Sequence, residues 1–339
     1  MKKSLLYRFI ADQCITPFCK VIPLSCGAIL MLHHVAPIHR EKIRYNDHLN
    51  VSPEYLDQIL FLFKKNGFSF VSMDELAELL KKRKRFSKIL SVTFDDGYRD
   101  NLKNGLPVLE SHNIPGIVYV ATGLMRGEII PWWDILEEYI LNIPSGFEFE
   151  GKFYSTETMD GKNKTFLTIR ERIRFDSDPE IRCRLLAGGI LSNNGSGKDY
   201  HKNMLTEKDL KQYAGHRLLS FGSHTHSHIA CGKLPPDVFE KELKQSLEIL
   251  QNCGIDVRHF AFPYGDDVKP REDLFQILQN NRIVTAVTTC AGLVCPKSNS
   301  LFLPRYFVSE YSEESVIRNI YAGKRSVLYQ SIKRRLHWQ

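Results

Sequence analysis

Ile89-Leu90-Ser91-Val92-Thr93-Phe94-Asp95-Asp96-Gly97 runs a strand-like apolar stretch straight into two adjacent carboxylates. Desolvating a carboxylate is costly unless a cation or hydrogen-bond donors compensate it. A buried strand that ends this way therefore predicts a cation close by. The plainer reading is a turn, since Asp96-Gly97 is a common turn pair and Asp100 suits a helix cap. Only the rest of the chain can separate the two.

Apolar runs of the same kind recur at 27–32, 68–71, 116–120, 218–222, 259–262, 284–288 and 301–306. Between them lie helix patterns. Tyr55, Leu56, Ile59, Leu60 and Phe63 form one apolar stripe, and further helices are predicted over 74–82, 102–111, 236–253 and 271–281. Continuously apolar strands alternating with helices predict an α/β fold, a parallel sheet closed or nearly closed into a barrel, with an open doubly wound sheet as the alternative. The rhythm breaks over about 141–203, which reads as an irregular insertion rather than a second domain. The expected organisation is a lead-in over 1–26, the barrel over 27–310 and a basic helical tail over 311–339.

The strand ends carry the polar residues. After 27–32 come His33-His34; after Phe94, Asp95-Asp96; after 218–222, Ser223-His224-Thr225-His226-Ser227-His228; after 259–262, Pro263-Tyr264-Gly265; and after Leu303, Pro304-Arg305. In a parallel barrel these ends share one rim, where active sites of this architecture lie. His224 and His228 would face the same way if their segment turns helically, and two imidazoles plus one carboxylate make a divalent-metal set with open positions. Asp95 and Asp96 then divide the work, one as ligand and the other as general base. His226 is expected to point away from that pair. The cation asked for by the opening stretch would be a metal, most simply Zn2+, with Co2+, Ni2+ or Fe2+ as alternatives.

Composition sets limits. The 339 residues are 43% hydrophobic and 25% charged, an ordinary balance for a protein with a sizeable core. The net charge of +7 is concentrated in Lys81-Lys82-Arg83-Lys84-Arg85 and in the tail, and is read as solvated faces rather than a nucleic-acid surface. The tail, with apolar residues at helical spacing, cations and Trp338, also suits peripheral membrane contact. The eight cysteines show no C-x-x-C pair, and the start of the chain has no continuous apolar signal segment. Both features predict a cytoplasmic protein with reduced thiols.

Thr93-Phe94-Asp95-Asp96-Gly97, Ser223-His224-Thr225-His226-Ser227-His228 and Phe262-Pro263-Tyr264-Gly265, in that order, resemble the polysaccharide deacetylase family with NodB homology, carbohydrate esterase family 4. The resemblance implies a distorted (β/α) barrel of seven or eight strands that removes an acetyl group, usually from an N-acetylhexosamine. It implies Asp95 as catalytic base, Asp96, His224 and His228 as metal ligands, and the Tyr264 backbone N–H as oxyanion donor, with Pro263 beside the substrate. Two positions depart from the family pattern. Ala261 stands where members often carry an arginine that orients the base, and Arg305 is the expected substitute. No late leucine-x-histidine motif is present, so His33 is expected as the general acid, ahead of His34. Trp132 and Trp133 are expected to offer a sugar-stacking face, and the partner is an acetylated sugar or glycan precursor. A metal-dependent phosphoesterase and a non-catalytic carbohydrate-binding relative are the competing readings.

Overall fold

The computed structural model describes residues 26–38, 43, 46, 49–174, 200–265 and 269–310. The expected lead-in up to residue 25, the helical tail, and Cys14, Cys19 and Cys183 lie outside the described residues. The two central strands, β1 (Gly27–Leu32) and β5 (Ile89–Phe94), are buried along their whole length and pair in parallel from Gly27 and Ile89 to Leu32 and Phe94. Burial on both faces is why neither strand carries a charged residue; Ser91 and Thr93, the polar residues of β5, are themselves buried.

Beside β5 follow β6 (Gly116–Val120), β9 (Leu219–Ser223), β10 (His259–Ala261) and β11 (Thr285–Val287), while β12 (Tyr306–Phe307) lies on the other side of β1. β4 (Ser69–Phe70) adds in parallel to the first residues of β5. A parallel bridge between Val287 and Leu303 draws the two ends of this row together, so the sheet curls into a distorted barrel rather than lying open. The last strand is displaced from the expected 301–306. Pro304 has no N–H to give a ladder and interrupts it, leaving the Leu303 bridge on one side and β12 on the other.

Helices cover the barrel where the stripes predict. α1 (Pro53–Lys65) buries Tyr55, Leu56, Ile59, Leu60 and Phe63, with the Ser52 side chain capping its start. α2 (Met73–Lys81) opens on a reciprocal Ser72–Glu75 capping box. The helix expected over 102–111 is instead a wide π turn, Asn101–Gly105, followed by α3 (Leu106–His112). Pro107 cannot donate to the turn before it, so the helix restarts there. α4 (Thr122–Arg126) follows β6, and α5 (Trp132–Asn142) leads into the insertion.

The described part of that insertion is not irregular. It holds an antiparallel hairpin, β7 (Gly146–Phe149) with β8 (Lys152–Ser155), and the 16-residue α6 (Met159–Arg174). α6 is polar overall, which hid it, but Phe166, Ile169 and Ile173 share one face and are fully buried. They join Trp132, Trp133, Leu136, Ile140, Phe147 and Phe149 in a second core beside the barrel. α7 (Glu207–Tyr213), α8 (Pro236–Asn252) and α9 (Glu272–Asn280) complete the shell.

Candidate active site

The strand ends meet at a cavity of about 410 Å³ lined by His33, Asp95, Asp96, His224, His228 and Tyr264, among others. Asp95 leaves β5 and is 2% exposed. Arg305, itself without solvent exposure, grips it with both arms, Nη1 donating to Oδ1 at 2.7 Å and Nη2 to Oδ2 at 2.6 Å. The guanidinium also donates to the Thr288 carbonyl at 2.8 Å and to Thr93 Oγ1 at 3.1 Å. Such a bidentate, fully hydrogen-bonded pair is the geometry that makes a buried charge tolerable. Burial alone would raise the Asp95 pKa, but Arg305, with a smaller contribution from His224, holds it below the ordinary aspartate value.

Asp96 turns the other way. Its φ of +71° places it in the left-handed region, Gly97 follows at +85°, and the Gly97 N–H closes the turn onto the Asp95 carbonyl at 2.9 Å. The opening stretch is thus both a turn and a charge site, because the turn is what parts the two side chains. Asp96 Oδ1 lies 3.1 Å from His228 Nε2 and 3.3 Å from His224 Nε2. Burial raises its pKa, and the two imidazoles outweigh burial to hold it well below the ordinary value.

The His224–His228 segment is not helical. The two rings converge because Thr225 and His228 take φ of +63° and +49° and the chain doubles back after β9. Glu242 on α8 pins the bend, accepting from the N–H groups of His226 and Ser227 at 3.2 and 2.8 Å and from Ser227 Oγ at 2.7 Å. Gly123 at the start of α4 donates to the His226 carbonyl at 2.8 Å, and a Cβ there would lie 2.6 Å from that oxygen. Sequence reasoning missed both residues; neither stands in a motif. His226 faces outward to Thr122 Oγ1 and Glu128, each at 3.1 Å.

One nitrogen from each of His224 and His228 and one Asp96 oxygen all lie within 4.8 Å of one another. The donor chemistry fits a divalent cation. His224 Nδ1–H donates to the Ala261 carbonyl at 2.8 Å, which turns its Nε2 lone pair toward the Asp96 carboxylate. Two acceptors brought face to face in a buried site repel unless a proton or a metal lies between them.

His33 lines the same cavity, and its Nδ1 is buried without a hydrogen-bond partner among the described residues. Burial lowers its pKa, and the opposing pull of Asp96 and Asp95 does not restore it. His34 is held elsewhere, with Nδ1 2.7 Å from Asp100 and its ring against Tyr98. Tyr264, at φ +57°, lines the cavity and packs its ring on His228 at 4.8 Å. Pro263 is buried and is not among the cavity-lining residues. Trp132 and Trp133 do line the cavity, though they are only 2% and 6% exposed and also belong to the second core. Trp133 braces the site, its ring 4.8 Å from His228 and its indole N–H donating to Tyr98 Oη at 2.7 Å.

No curated protein sequence matches the chain significantly. Among solved structures, the Streptococcus pyogenes deacetylase PplD in complex with acetate superposes with a TM-score of 0.58 at 20% identity, covering 88% of this chain and 99% of that one. IcaB from Ammonifex degensii gives 0.55 at 19% identity over 87% and 97% of the two chains. The de-N-acetylase of Aggregatibacter actinomycetemcomitans gives 0.55 at 12% identity over 87% and 99%. At these identities the likeness shows the barrel fold. The family model described as polysaccharide deacetylase matches residues 82–171 and 191–284, which include Asp95, Asp96, His224, His228 and Tyr264 but neither His33 nor Arg305. With more than half of its length matched and the motifs in place, the chain belongs to the polysaccharide deacetylase family, the NodB-type carbohydrate deacetylases that hydrolyse amide carbon–nitrogen bonds.

Proposed function

We propose that the protein is a metal-dependent hydrolase that removes an N-acetyl group from a sugar in the making of a surface polysaccharide or glycoconjugate. The observation that carries this reading is the pairing of the Asp96–His224–His228 cluster with the Asp95–Arg305 ion pair on one rim. A divalent cation held by those three residues would supply a Lewis acid that polarises the acetyl carbonyl and makes water a stronger nucleophile. Asp95, kept ionised by Arg305, accepts the proton of the attacking water. Arg305 fixes the carboxylate's orientation, so the base needs no rearrangement at the moment of reaction. The Tyr264 backbone N–H donates to the oxyanion as it develops. His33, across the cavity, returns a proton to the departing amine. Trp133 and Tyr264 pack on His228 and keep its ring aimed at Asp96.

For location we infer the cytoplasm, with the basic tail as a membrane contact. The substrate would then be a glycan precursor rather than a finished wall polymer. The test is metal analysis of the purified protein combined with acetate release from a panel of N- and O-acetylated sugars. Stoichiometric metal with acetate released from N-acetyl sugars is the expected result; phosphate release from phosphoesters with no acetate would overturn it.

A further inference from the structure

Beyond the rim, the cavity has a wall that the barrel does not make. α6 sends Arg170 and Arg174, one helical turn apart, to the same cavity as Asp96, His224 and His228. Arg174 is 5% exposed, and its guanidinium lies over the Tyr264 ring at 5.5 Å, a ring that also meets His228 at 4.8 Å. The Tyr264 ring thus contacts both this cation and a proposed metal ligand. Glu171, half exposed on the solvent side, pairs with both Arg170 and Arg174, the latter at 3.4 Å. A guanidinium has five N–H donors in a planar fork and can hold Glu171 and a ligand oxyanion at once.

Both arginines line the cavity four positions apart on one helix, and their planar forks match the geometry of a phosphate or carboxylate oxyanion. The cavity's own carboxylates are already engaged, Asp95 by Arg305 and Asp96 by the two histidines. Arg170 falls inside the family match and Arg174 just beyond its first segment, in the unmatched stretch 172–190. We propose that Arg170 and Arg174 form an oxyanion subsite, and that the protein's substrate is an anionic acetylated sugar, carrying a phosphate or a carboxylate next to the acetyl-bearing ring. The proposal rests on the deacetylase reading for its substrate, but not for its binding test.

The experiment measures binding by calorimetry, and turnover alongside it, on the metal-loaded protein. The probes are a hexose 1-phosphate, a hexuronate and a neutral hexose for binding, with the corresponding N-acetylhexosamine forms for turnover. Charge-assisted hydrogen bonds of this kind predict that at least one anionic probe binds about ten- to a hundredfold more tightly than the neutral one at low salt. The preference should shrink as salt is added and fall toward unity in Arg170→Gln and Arg174→Gln; Arg174→Lys, which keeps the charge but loses the fork, should retain part of it. The phosphate and uronate arms identify the source of the anion. Should Arg174→Gln fail to fold, Arg170→Gln and Arg174→Lys carry the comparison. Equal affinity for neutral and anionic probes overturns the proposal, as does a preference that survives in both glutamine variants, because the metal site alone would then bind the anion. Absence of acetate release from every substrate, with the anion preference intact, overturns the deacetylase reading and leaves the subsite standing.

Discussion

The rim of the barrel and the inserted wall meet one cavity by different means. At the rim, Asp96, His228 and Tyr264 all line the cavity with left-handed φ, and Thr225 between the two histidines shares it. Such conformations cost roughly 1–3 kcal/mol each in residues other than glycine. On the inserted wall Trp132, Trp133, Arg170 and Arg174 sit in regular helices with no such outlier. The contrast shows where the fold spends stability. Around the cavity, strain falls on the groups that must converge on one point, with a central pair of buried parallel strands behind it; the other left-handed non-glycine residues among those described, Arg83, Lys88, Asn113, Glu150 and Arg282, do not line the cavity. The wall only has to present a surface, and ordinary helix packing does that.

The largest expected effect breaks the rim. His228→Ala, His224→Ala or Asp96→Ala should leave the purified protein without stoichiometric metal by elemental analysis and reduce acetate release to background, with an unchanged circular dichroism spectrum. Full metal occupancy in all three variants would mean that the convergence serves packing only.

Next is the base. Asp95→Asn should keep its metal and lose about 10² to 10⁴ in turnover, since the amide cannot accept the water proton. The structure adds a second expectation. Arg305 is fully buried, and leaving its charge without an anion costs about 3–5 kcal/mol. The variant should therefore also melt earlier, and it should be compared with Arg305→Met, in which the carboxylate is the group left alone. Unchanged melting in Asp95→Asn would show that the ion pair orients without stabilising.

The wall is tested through its core. Phe166 is fully buried among Trp132, Ile169 and their neighbours, so Phe166→Ala should cost about 3–5 kcal/mol. Hydrogen exchange should then rise over α5, the hairpin and α6 while β1 and β5 stay protected. Equal loss of protection in both regions would mean that rim and wall unfold as one unit.

The same contrast explains what was legible beforehand. Strands such as Ile89–Phe94 and Gly116–Val120 announce themselves because burial on both faces leaves an uncharged, mostly apolar run. The candidate ligands are readable because polar residues follow Phe94 and Ser223 directly in sequence. Arg305 is legible as the polar end of a late strand and, because Ala261 leaves the family's arginine position empty, as the group that orients Asp95, which it meets from 210 positions away. Glu242, Gly123 and the arginines of α6 gave no signal, since each acts through a tertiary contact that no local pattern encodes. The helical expectation for 224–228 failed because the spacing of two histidines does not distinguish a helix from a doubled-back loop.

The smallest effect, and the finest test of the rim, concerns His33. It lies outside the residues matched by the family model, and burial holds its pKa below the ordinary imidazole value of about 6.5. A general acid must be protonated when the amine departs, so kcat/KM should fall as pH rises through the His33 pKa. In His33→Ala that descending limb should vanish, with N-acetyl substrates slowed by about 10² and O-acetyl esters by less, because an alkoxide needs the proton less than an amine does. Stability gives an independent reading. A histidine whose pKa is depressed by folding favours the folded state above its unfolded pKa, and that advantage is lost as pH falls through the folded value. In metal-free protein, His33→Ala should therefore lose less of its melting temperature between pH 7.5 and pH 5 than the parent does. A descending limb that persists in His33→Ala, with amide and ester substrates affected alike, would make His33 a packing residue and place the proton donor elsewhere on the rim.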